Sequence, residues 1–214
     1  MKKLSRLLIA NRGEIVLRIA RTAKAMGIET VAIYSDADGA NTHAAVCDKA
    51  ICIGGKAAAE SYLVIEKILV AARDSNADAI HPGYGFLSEN AAFAKAVGDA
   101  GLIFVGPPPG AIAAMGDKAA ARQRMAKAGI PVVPGYDGEE QSETRFALEA
   151  KKIGFPVMIK ASAGGGGRGM RKVASEKDFA TELRAASNEA KKAFGDGRLI
   201  LERAIERPRH VEIQ

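Results

Sequence analysis

The sequence is short of aromatic residues, cysteines and long apolar runs. Of its 214 residues 48% are hydrophobic, but 5% are aromatic and tryptophan is absent, so its cores must be built from aliphatic side chains. The two cysteines, Cys47 and Cys52, have no second cysteine pair at metal-ligand spacing, which predicts reduced thiols in a cytoplasmic protein. No apolar run is long enough to cross a membrane, and the N-terminal one is too short for a signal peptide.

Segregated positive charge is missing as well. The net charge is +6, but the basic residues alternate with acidic ones along the helical stretches. No helix with clustered arginines and no row of interleaved aromatics is present, so neither a nucleic acid nor a membrane surface is the expected partner. The basic residues without acidic neighbours surround one glycine-rich segment, where a nucleotide polyphosphate explains them better.

Two familiar phosphate-binding signatures are absent. No Walker pattern occurs, because Arg168 rather than a Lys-Ser/Thr pair follows the glycines. The first strand–helix turn, residues 10–14, has one glycine where a dinucleotide fingerprint needs three. An oxidoreductase of the Rossmann type is therefore the least favoured function, and Asp36 is interpreted as a turn residue rather than as a ribose-binding acid.

What the sequence does contain is a glycine loop between two short strands. An apolar run ends at Lys160, five of the next nine residues are glycine, and residues 170–173 again have strand character. Glycines let several backbone N–H groups approach one anion, and Lys160 and Arg168 add positive charge. A plain glycine linker would not explain these charges inside strand-like runs. The pattern predicts a hairpin lid that closes over phosphates.

The alternation of strands and helices predicts an α/β fold with two domains. Residues 1–115 form a predicted Rossmann-like domain with a parallel sheet that helices cover on both faces. The run of prolines at 107–109 marks its end. Its predicted strands are residues 6–10, 30–34, 50–53, 77–80 and 102–105, and its predicted helices include one that ends at Gly27, residues 62–75 with Ser61 as N-cap, and residues 89–100.

Residues 116–214 form the second predicted domain, with the lid at about 131–204. Its predicted helices are residues 117–128, residues 143–153 and one that starts at an approximate capping box, Ser175–Asp178, and buries a stripe of Phe179, Leu183, Ala186 and Ala190. Residues 135–142 are a predicted polar, acidic loop. Residues 199–202 are a predicted strand, and residues 202–205 a hinge whose backbone could meet an adenine edge. The last strand-like run, residues 207–214, stops with the chain, so a longer protein is expected.

Two polar positions are ambiguous by themselves. His81 opens the segment 81–90, which follows a strand end, where open α/β sheets place ligand loops. Its plainer interpretation is a rigid turn followed by a capped helix. Lys118, near the start of a helix, is by spacing alone a solvated residue.

Taken together, five motifs in order resemble the biotin carboxylase family, the ATP-grasp component of the biotin-dependent acyl-CoA carboxylases and of pyruvate carboxylase. The resemblance covers the whole chain and rests on residues 8–15, 81–90, 115–118, 159–169 and 208–214. Residues 135–141 resemble most the α subunits of 3-methylcrotonyl-CoA and geranyl-CoA carboxylases. The resemblance implies a Rossmann-like domain followed by the first part of an ATP-grasp domain.

The resemblance also implies a reaction and its participants. In that family ATP phosphorylates bicarbonate to carboxyphosphate, which yields CO2 for biotin on a carrier protein, with Mg²⁺ as cofactor, a carboxyltransferase subunit as partner and a homo-oligomeric full protein. The ATP-binding residues that it implies here are Lys118, Lys160, Gly165, Gly166, Gly167, Glu202, Arg203, Ala204, Ile205 and His210. The family's metal ligands and catalytic residues belong to its C-terminal half, so none is expected within these 214 residues, and the chain alone is expected to be inactive.

Three positions depart from the family pattern, and two other functions stay open. Ala163 stands where the family mostly has a further glycine, Arg203 where it often has lysine, and Ile205 where it often has leucine. The alternatives are another ATP-grasp ligase, such as a carbamoyl-phosphate synthetase or a purine-pathway carboxylase, and a nucleotide-binding module without catalysis. The combination of residues 81–90 with 208–214 favours biotin carboxylase.

Overall fold

The computed structural model describes residues 4–39, 42–163, 169–209 and 211. The chain divides into two compact units, residues 1–113 and 114–214. Among the described residues, no helix is both long enough and apolar enough to cross a membrane.

The first unit is built on a five-stranded sheet. Its elements are β1 (Arg6–Ile9), α1 (Glu14–Ala25), β2 (Glu29–Tyr34), α2 (Thr42–Ala45), β3 (Lys49–Cys52), a 3₁₀ turn (Ala58–Glu60), α3 (Ile65–Asp74), β4 (Ala79–His81), α4 (Ala91–Asp99) and β5 (Ile103–Phe104). The strands are all parallel and lie in the order β3-β2-β1-β4-β5, which confirms the predicted parallel sheet. The strand order reverses between β1 and β4.

Both faces of this sheet are covered by apolar clusters. On one face Leu8, Val31 and Ile80 pack with α3 and α4, and on the other Leu7, Ile9 and Ala32 pack with α1. Neighbouring residues of β1 thus belong to opposite clusters, as expected for a strand that is buried on both sides. Cys47 and Cys52 are unpaired thiols, and Asp36 lies in a turn, as predicted.

The second unit contains an antiparallel sheet. Helix α5 (Pro109–Gly116) crosses the boundary between the units, and α6 (Lys118–Lys127), β6 (Gly135–Tyr136), α7 (Glu143–Ile153), β7 (Val157–Ala161), β8 (Met170–Val173), α8 (Glu176–Phe194) and β9 (Leu199–Arg203) follow. The strand order is β6-β9-β7-β8. Strands β7 and β8 pair antiparallel across the glycine segment, which confirms the predicted hairpin.

The two faces of this sheet have different characters. Val157, Ile159 and Leu201 belong to an apolar cluster with α7 and α8, and the stripe predicted for α8 is buried in it. The intervening residues, among them Lys160 and Glu202, lie on the opposite face because side chains alternate along a strand. Lys160 and Glu202, both of them predicted ATP-binding residues, lie on this polar face.

Four predicted details are wrong. Ser61 does not cap a helix at residue 62: its hydroxyl donates to the carbonyl of Ala57, and α3 begins at Ile65. The capping box at Ser175 is not formed, because that hydroxyl donates to the Asp178 carboxylate instead of accepting a backbone N–H. Gly135–Tyr136, predicted as loop, is a short strand. Residues 207–209 and 211 are not in a strand, and the rest of that predicted strand lies outside the described residues.

The two N-cap serines of the second unit offer a matched test of capping. Ser142 accepts the N–H of Arg145 at 3.2 Å, whereas Ser175 caps no backbone group. We expect Ser142→Ala to lower the free energy of unfolding by about 1 kcal/mol and Ser175→Ala to change it by less than about 0.3 kcal/mol. Chemical denaturation of both variants measures the difference, and equal losses would contradict the assignment of the two caps.

Candidate functional site

The polar face of the second sheet carries an ion pair between Lys160 and Glu202. In the register of β7 and β9, Lys160 lies opposite Ile200 and Met158 opposite Glu202, so the two charged side chains are diagonal neighbours on one face. Lys160 Nζ donates to Glu202 Oε2. The Lys160 side chain is 24% exposed and that of Glu202 15%. Two residues predicted from separate segments thus meet immediately before the glycine segment.

A second cation contacts the same carboxylate. Arg122, on α6, places Nη1 3.5 Å from Glu202 Oε1, and its Nε lies 3.0 Å from Asp137 Oδ2. The Arg122 side chain is 11% exposed, the least of the four charged groups. The backbone carbonyl of Asp137 in turn accepts a hydrogen bond from the side chain of Gln123 at 3.0 Å. Lys160, Glu202, Arg122 and Asp137, hereafter the charge cluster, therefore balance two positive with two negative charges.

The start of α6 is fixed against the end of β7. The backbone N–H of Lys118 donates to the carbonyl of Ser162 at 3.1 Å, and the Ser162 hydroxyl donates to Asp117 Oδ1 at 2.9 Å. Asp117 is the N-cap of α6 and accepts the N–H groups of Ala119 and Ala120. The structure therefore holds the backbone of Lys118 beside the end of the strand that carries Lys160, and the residue as a whole is partly exposed.

The Asp117 carboxylate is stabilised in its charged form. Partial burial alone would raise its pKa, but the N–H of Ala120, the Ser162 hydroxyl and the N–H of Ala119, together with the charge of Arg198, bring the pKa below its ordinary value of 3.8. Arg198 Nη2 lies 3.3 Å from Asp117 Oδ2. The ionised carboxylate joins α6, β7 and the residue before β9 at one point.

This arrangement predicts a pH dependence of stability. Since the folded-state pKa of Asp117 is below 3.8, its contribution is complete above that pH and is lost as the pH falls through the lower, folded-state value. The variant Asp117→Asn keeps a capping oxygen but should be about 0.5 kcal/mol less stable at neutral pH. Its free energy of unfolding should also fall less steeply than that of the wild type as the pH is lowered, and this steepness is called the acid slope below.

Urea denaturation at a series of pH values from neutral to about 2 measures that slope. The matched control is Glu206→Gln, since Glu206 is exposed and forms no ion pair within the described part of the chain. A wild-type slope in Asp117→Asn would contradict the assignment.

The base of the glycine hairpin is tied to α8. Arg171 on β8 contacts Glu182 at 2.8 Å and Glu189 at 3.1 Å, and Glu189 also accepts the N–H of Gly169 at 3.3 Å. The strand that leaves the glycine segment is thereby fixed to the helix behind the sheet. Its position relative to Lys160 is set by β7, whose Ala161 N–H donates to the carbonyl of Gly169.

The remaining predicted site residues are placed as follows. The backbone N–H of Arg203 donates to Pro134 and that of Ala204 to Pro156, so both groups are engaged within the unit. Ile205 is 52% exposed directly after them. Gly165, Gly166, Gly167 and His210 lie outside the described residues, as does Arg168.

Sequence reasoning missed Arg122, Asp137 and Ser162. One signal could have found Arg122: it follows Lys118 by four residues on a helix, so both lie on one helix face. Nothing local marks Asp137 or Ser162, because their partners are distant in the sequence. No group of three or more potential metal ligands occurs among the residues that the structure describes.

The first unit brings together two of the motifs, at the edge where β1 and β4 end. The Asn11 side chain, which is buried, donates to the carbonyls of Pro82 and Tyr84, both at 2.8 Å. The Tyr84 hydroxyl donates to Glu14, and this hydrogen bond lowers the pKa of that carboxyl. Residues 11–14 and 82–84 thus form one interlocked structure.

A cavity of about 450 Å³ opens beside these loops, lined by Asn11, Arg12, Gly13, Glu14, Asp38, Tyr84, Gly85 and Phe86. The guanidinium of Arg12 lies 5.6 Å from the ring centroids of Tyr62 and Phe86. His81 accepts the N–H of Gly83, and burial lowers the pKa of the imidazole, in agreement with the predicted rigid turn. The cavity lies where the strand order reverses, the usual place for ligands in open α/β sheets.

Comparison with known families gives two matches in series. Residues 3–112 match the family described as "Biotin carboxylase, N-terminal domain", and residues 117–214 match "Carbamoyl-phosphate synthase L chain, ATP binding domain". The methylcrotonoyl-CoA carboxylase subunit alpha of Dictyostelium discoideum is 51% identical over 214 residues, and the biotin carboxylase of a Nostoc species is 53% identical over 212. These alignments include 100% and 99% of the chain.

Solved structures of biotin carboxylases resemble the chain as well. The biotin carboxylase of Campylobacter jejuni, in a complex described as beta-gamma-ATP, superimposes with a TM-score of 0.92 and 47% identity over 96% of the chain. The biotin carboxylase domain of the 2-oxoglutarate carboxylase of Hydrogenobacter thermophilus, described with MgADP, ADP and bicarbonate, gives 0.89 and 45% over 96%.

The coverage of these relatives is partial. The chain spans 31% of the Dictyostelium protein and 47% of the Nostoc protein, and 46% and 45% of the two crystallised chains. The N-terminal family model matches more than half of the chain, and the Dictyostelium protein is 51% identical to the chain over all 214 of its residues. The chain belongs to the biotin carboxylase family.

Proposed function

We propose that this chain forms the part of a biotin carboxylase that holds the phosphates of ATP. The parent reaction is the ATP-dependent carboxylation of carrier-bound biotin with bicarbonate. The observation that carries the proposal is the pairing of Lys160 with Glu202 at the exit to the glycine segment, beside the start of α6 where Lys118 lies. The relatives described with a nucleotide and with bicarbonate support the same substrates.

Phosphoryl transfer requires positively charged side chains and backbone N–H groups around the phosphates. Phosphoryl transfer from ATP depends on positioning and on neutralising the charge of the phosphates more than on covalent catalysis. Lys160 supplies a positive charge, and its ammonium group can leave the Glu202 carboxylate and bind a phosphate instead. Lys118 adds a second from the first turn of α6. The N–H groups of Gly165, Gly166 and Gly167 complete the proposed phosphate contacts.

The adenosine end of the nucleotide is assigned to the segment after β9. Because the N–H groups of Arg203 and Ala204 donate within the unit, the proposed adenine contacts come from the other backbone groups of residues 202–205 and from the exposed side chain of Ile205. His210 is proposed to lie at the ribose.

Mg²⁺ does not fit the described residues as a bound cofactor. The carboxylates of the charge cluster, Asp137 and Glu202, are each engaged with Arg122, and no group of three potential ligands is present in the described part of the chain. A metal held by oxygen ligands needs carboxylates that are free to turn toward it. We therefore assign no step of the reaction to a metal held by these residues.

The remaining proposals concern partners and place. A biotinylated carrier protein or domain, a carboxyltransferase subunit and a homo-oligomeric assembly are proposed for the whole protein. The likeness to methylcrotonoyl-CoA carboxylase subunits supports a branched acyl-CoA as the final acceptor. The unpaired thiols of Cys47 and Cys52 fit a reducing compartment, and we place the protein in the cytoplasm.

The proposal is tested by calorimetric titration of the chain with ATP, AMP and NAD⁺. Saturable binding of ATP, with AMP at least about 10-fold weaker, is expected because the contacts are made to the β- and γ-phosphates. Failure to bind ATP, or equal affinity for AMP, would overturn the phosphate assignment. Preferred binding of NAD⁺ would favour a dinucleotide site instead.

A turnover assay separates the alternative functions. The chain with ATP, bicarbonate and free biotin is expected to form no ADP above background, since the catalytic half implied by the family is not among these residues. A normal biotin-dependent rate would refute that expectation. ADP formation that depends on ammonia would favour a carbamoyl-phosphate synthetase. If a longer gene product that carries the chain binds ATP but does not turn it over, a non-catalytic module would be favoured.

A further inference from the structure

The Glu202 carboxylate is shared between two cations that approach different oxygens. Lys160 contacts Oε2, and Arg122 lies 3.5 Å from Oε1. The two cations differ in how they are held. Arg122 has a second anionic partner, Asp137, at 3.0 Å, and its side chain is more buried than that of Lys160. Lys160 forms an ion pair with Glu202 alone among the described residues.

This arrangement matters when Lys160 turns to a phosphate, as the proposed function requires. Glu202 Oε2, which belongs to a side chain that is 15% exposed in the paired arrangement, then loses its cation. A largely buried carboxylate without a cation is strongly unfavourable, and its cost would be subtracted from the affinity for the nucleotide. If Lys160 moves to a phosphate, a second positive charge must therefore remain next to the Glu202 carboxylate.

We propose that Arg122 is a positioning residue for ATP binding: it keeps Glu202 neutralised while Lys160 leaves that carboxylate for the phosphates. The inference rests on the proposed function of Lys160. Arg122 acts through Glu202 and is not assigned a contact with the nucleotide.

The placement of Arg122 suits this role. It lies on α6 one turn after Lys118, and the start of that helix is bonded to Ser162 at the end of β7. Its two carboxylate partners come from β9 and from the residue after β6, strands that pair with each other. The guanidinium is thus held by two carboxylates from adjoining parts of the sheet, so we expect it to stay in place when Lys160 turns toward a ligand.

Two other roles for Arg122 make different predictions. If it contacts a phosphate directly, its removal weakens ATP binding whether or not residue 202 is charged. If it only fastens α6 to the sheet, its removal lowers stability, and because its contact with Asp137 remains, the loss of affinity persists when residue 202 is neutral. The proposed role alone requires that the effect disappear when Glu202 is neutral.

The first experiment is a double-mutant cycle on ATP affinity, measured by calorimetry. Arg122→Met is expected to weaken ATP binding by about 10- to 50-fold, and Arg122→Lys to restore most of the loss. In the background of Glu202→Gln, Arg122→Met should have less than about a 2-fold effect. The matched control is Arg124→Met on the same helix, because Arg124 is exposed and forms no ion pair within the described residues, and it should bind as the wild type does.

The second experiment needs no nucleotide. The rate at which an amine-reactive ester modifies Lys160, followed by mass spectrometry, should fall in Arg122→Met, since Glu202 then has Lys160 as its remaining cation and holds it more firmly. It should rise in Glu202→Gln and stay unchanged in Arg124→Met. Circular dichroism of each variant verifies that it is folded.

The outcomes separate this inference from the proposed function. Wild-type chain that does not bind ATP refutes the proposed function, and the modification rates then decide whether Arg122 and Lys160 share Glu202. ATP binding that is unaffected by Arg122→Met, or that falls equally in both backgrounds, overturns the role of Arg122 and leaves the proposed function intact. Unchanged modification of Lys160 in Arg122→Met overturns the shared pairing itself.

Discussion

Replacing Lys160 by methionine is expected to weaken ATP binding by about 100-fold. A charge-assisted hydrogen bond to a phosphate contributes about 1.5–3 kcal/mol, and each 1.4 kcal/mol is a factor of ten in affinity. Methionine keeps an unbranched apolar stem but removes the charge. Folding should be affected little, because Glu202 retains its contact with Arg122 after the lysine is lost. Calorimetric titration with ATP, combined with thermal denaturation, measures both quantities.

The matched control for this change is Lys172→Met. Lys172 lies on β8 on the same face of the sheet, since it pairs with Met158 as Lys160 pairs with Met170, but it is exposed and forms no ion pair within the described residues. Its replacement should alter ATP affinity by less than about 2-fold, because an exposed cation away from the phosphates is screened. Equal losses in the two variants would mean that general positive charge, not the position of Lys160, attracts the nucleotide.

The two strands that flank the glycine segment are predicted well from the sequence because their signal is local. An apolar run, a lysine and a cluster of glycines are adjacent in the chain, and each implies the same structure. The partner of that lysine is not local. Glu202 is 42 residues away, and only the pairing of β7 with β9 makes the two side chains neighbours. Arg122 and Asp137 join them through further long-range contacts, so the charge cluster could not be predicted from spacing.

The fold shows the same division between local and tertiary causes. The alternation of apolar strands and helices predicts the parallel sheet, and the predicted range of α7 agrees with the structure at both ends. Helix α3 begins later than its apolar period suggests, because Leu63 is exposed and Ser61 is buried in a turn that bonds to Ala57. The strand Gly135–Tyr136 has too few residues for any period and exists because β9 offers it a pairing edge.

The second large effect is expected from Gly83→Ala in the first unit, which should lower the free energy of unfolding by about 3 kcal/mol. Gly83 has φ of 66°, where an L-residue is strained by about 1 kcal/mol. A Cβ there would also lie 2.7 Å from Asn11 Nδ2 and 3.1 Å from Asn11 Cβ. Asn11 cannot move away without breaking its hydrogen bonds to Pro82 and Tyr84, so overpacking adds about 2 kcal/mol.

Gly85→Ala is the control that isolates the contact with Asn11. Gly85 has nearly the same backbone conformation, with φ of 63°, but a Cβ there would meet nothing within 4 Å. It should therefore lose only the strain of about 1 kcal/mol. Urea denaturation of the two variants, followed by a probe in the first unit, measures the difference. If both lose the same amount, the interlock of residues 11–14 with 82–84 is not rigid. A clear gap would show that the loop after β4 is built against the loop after β1.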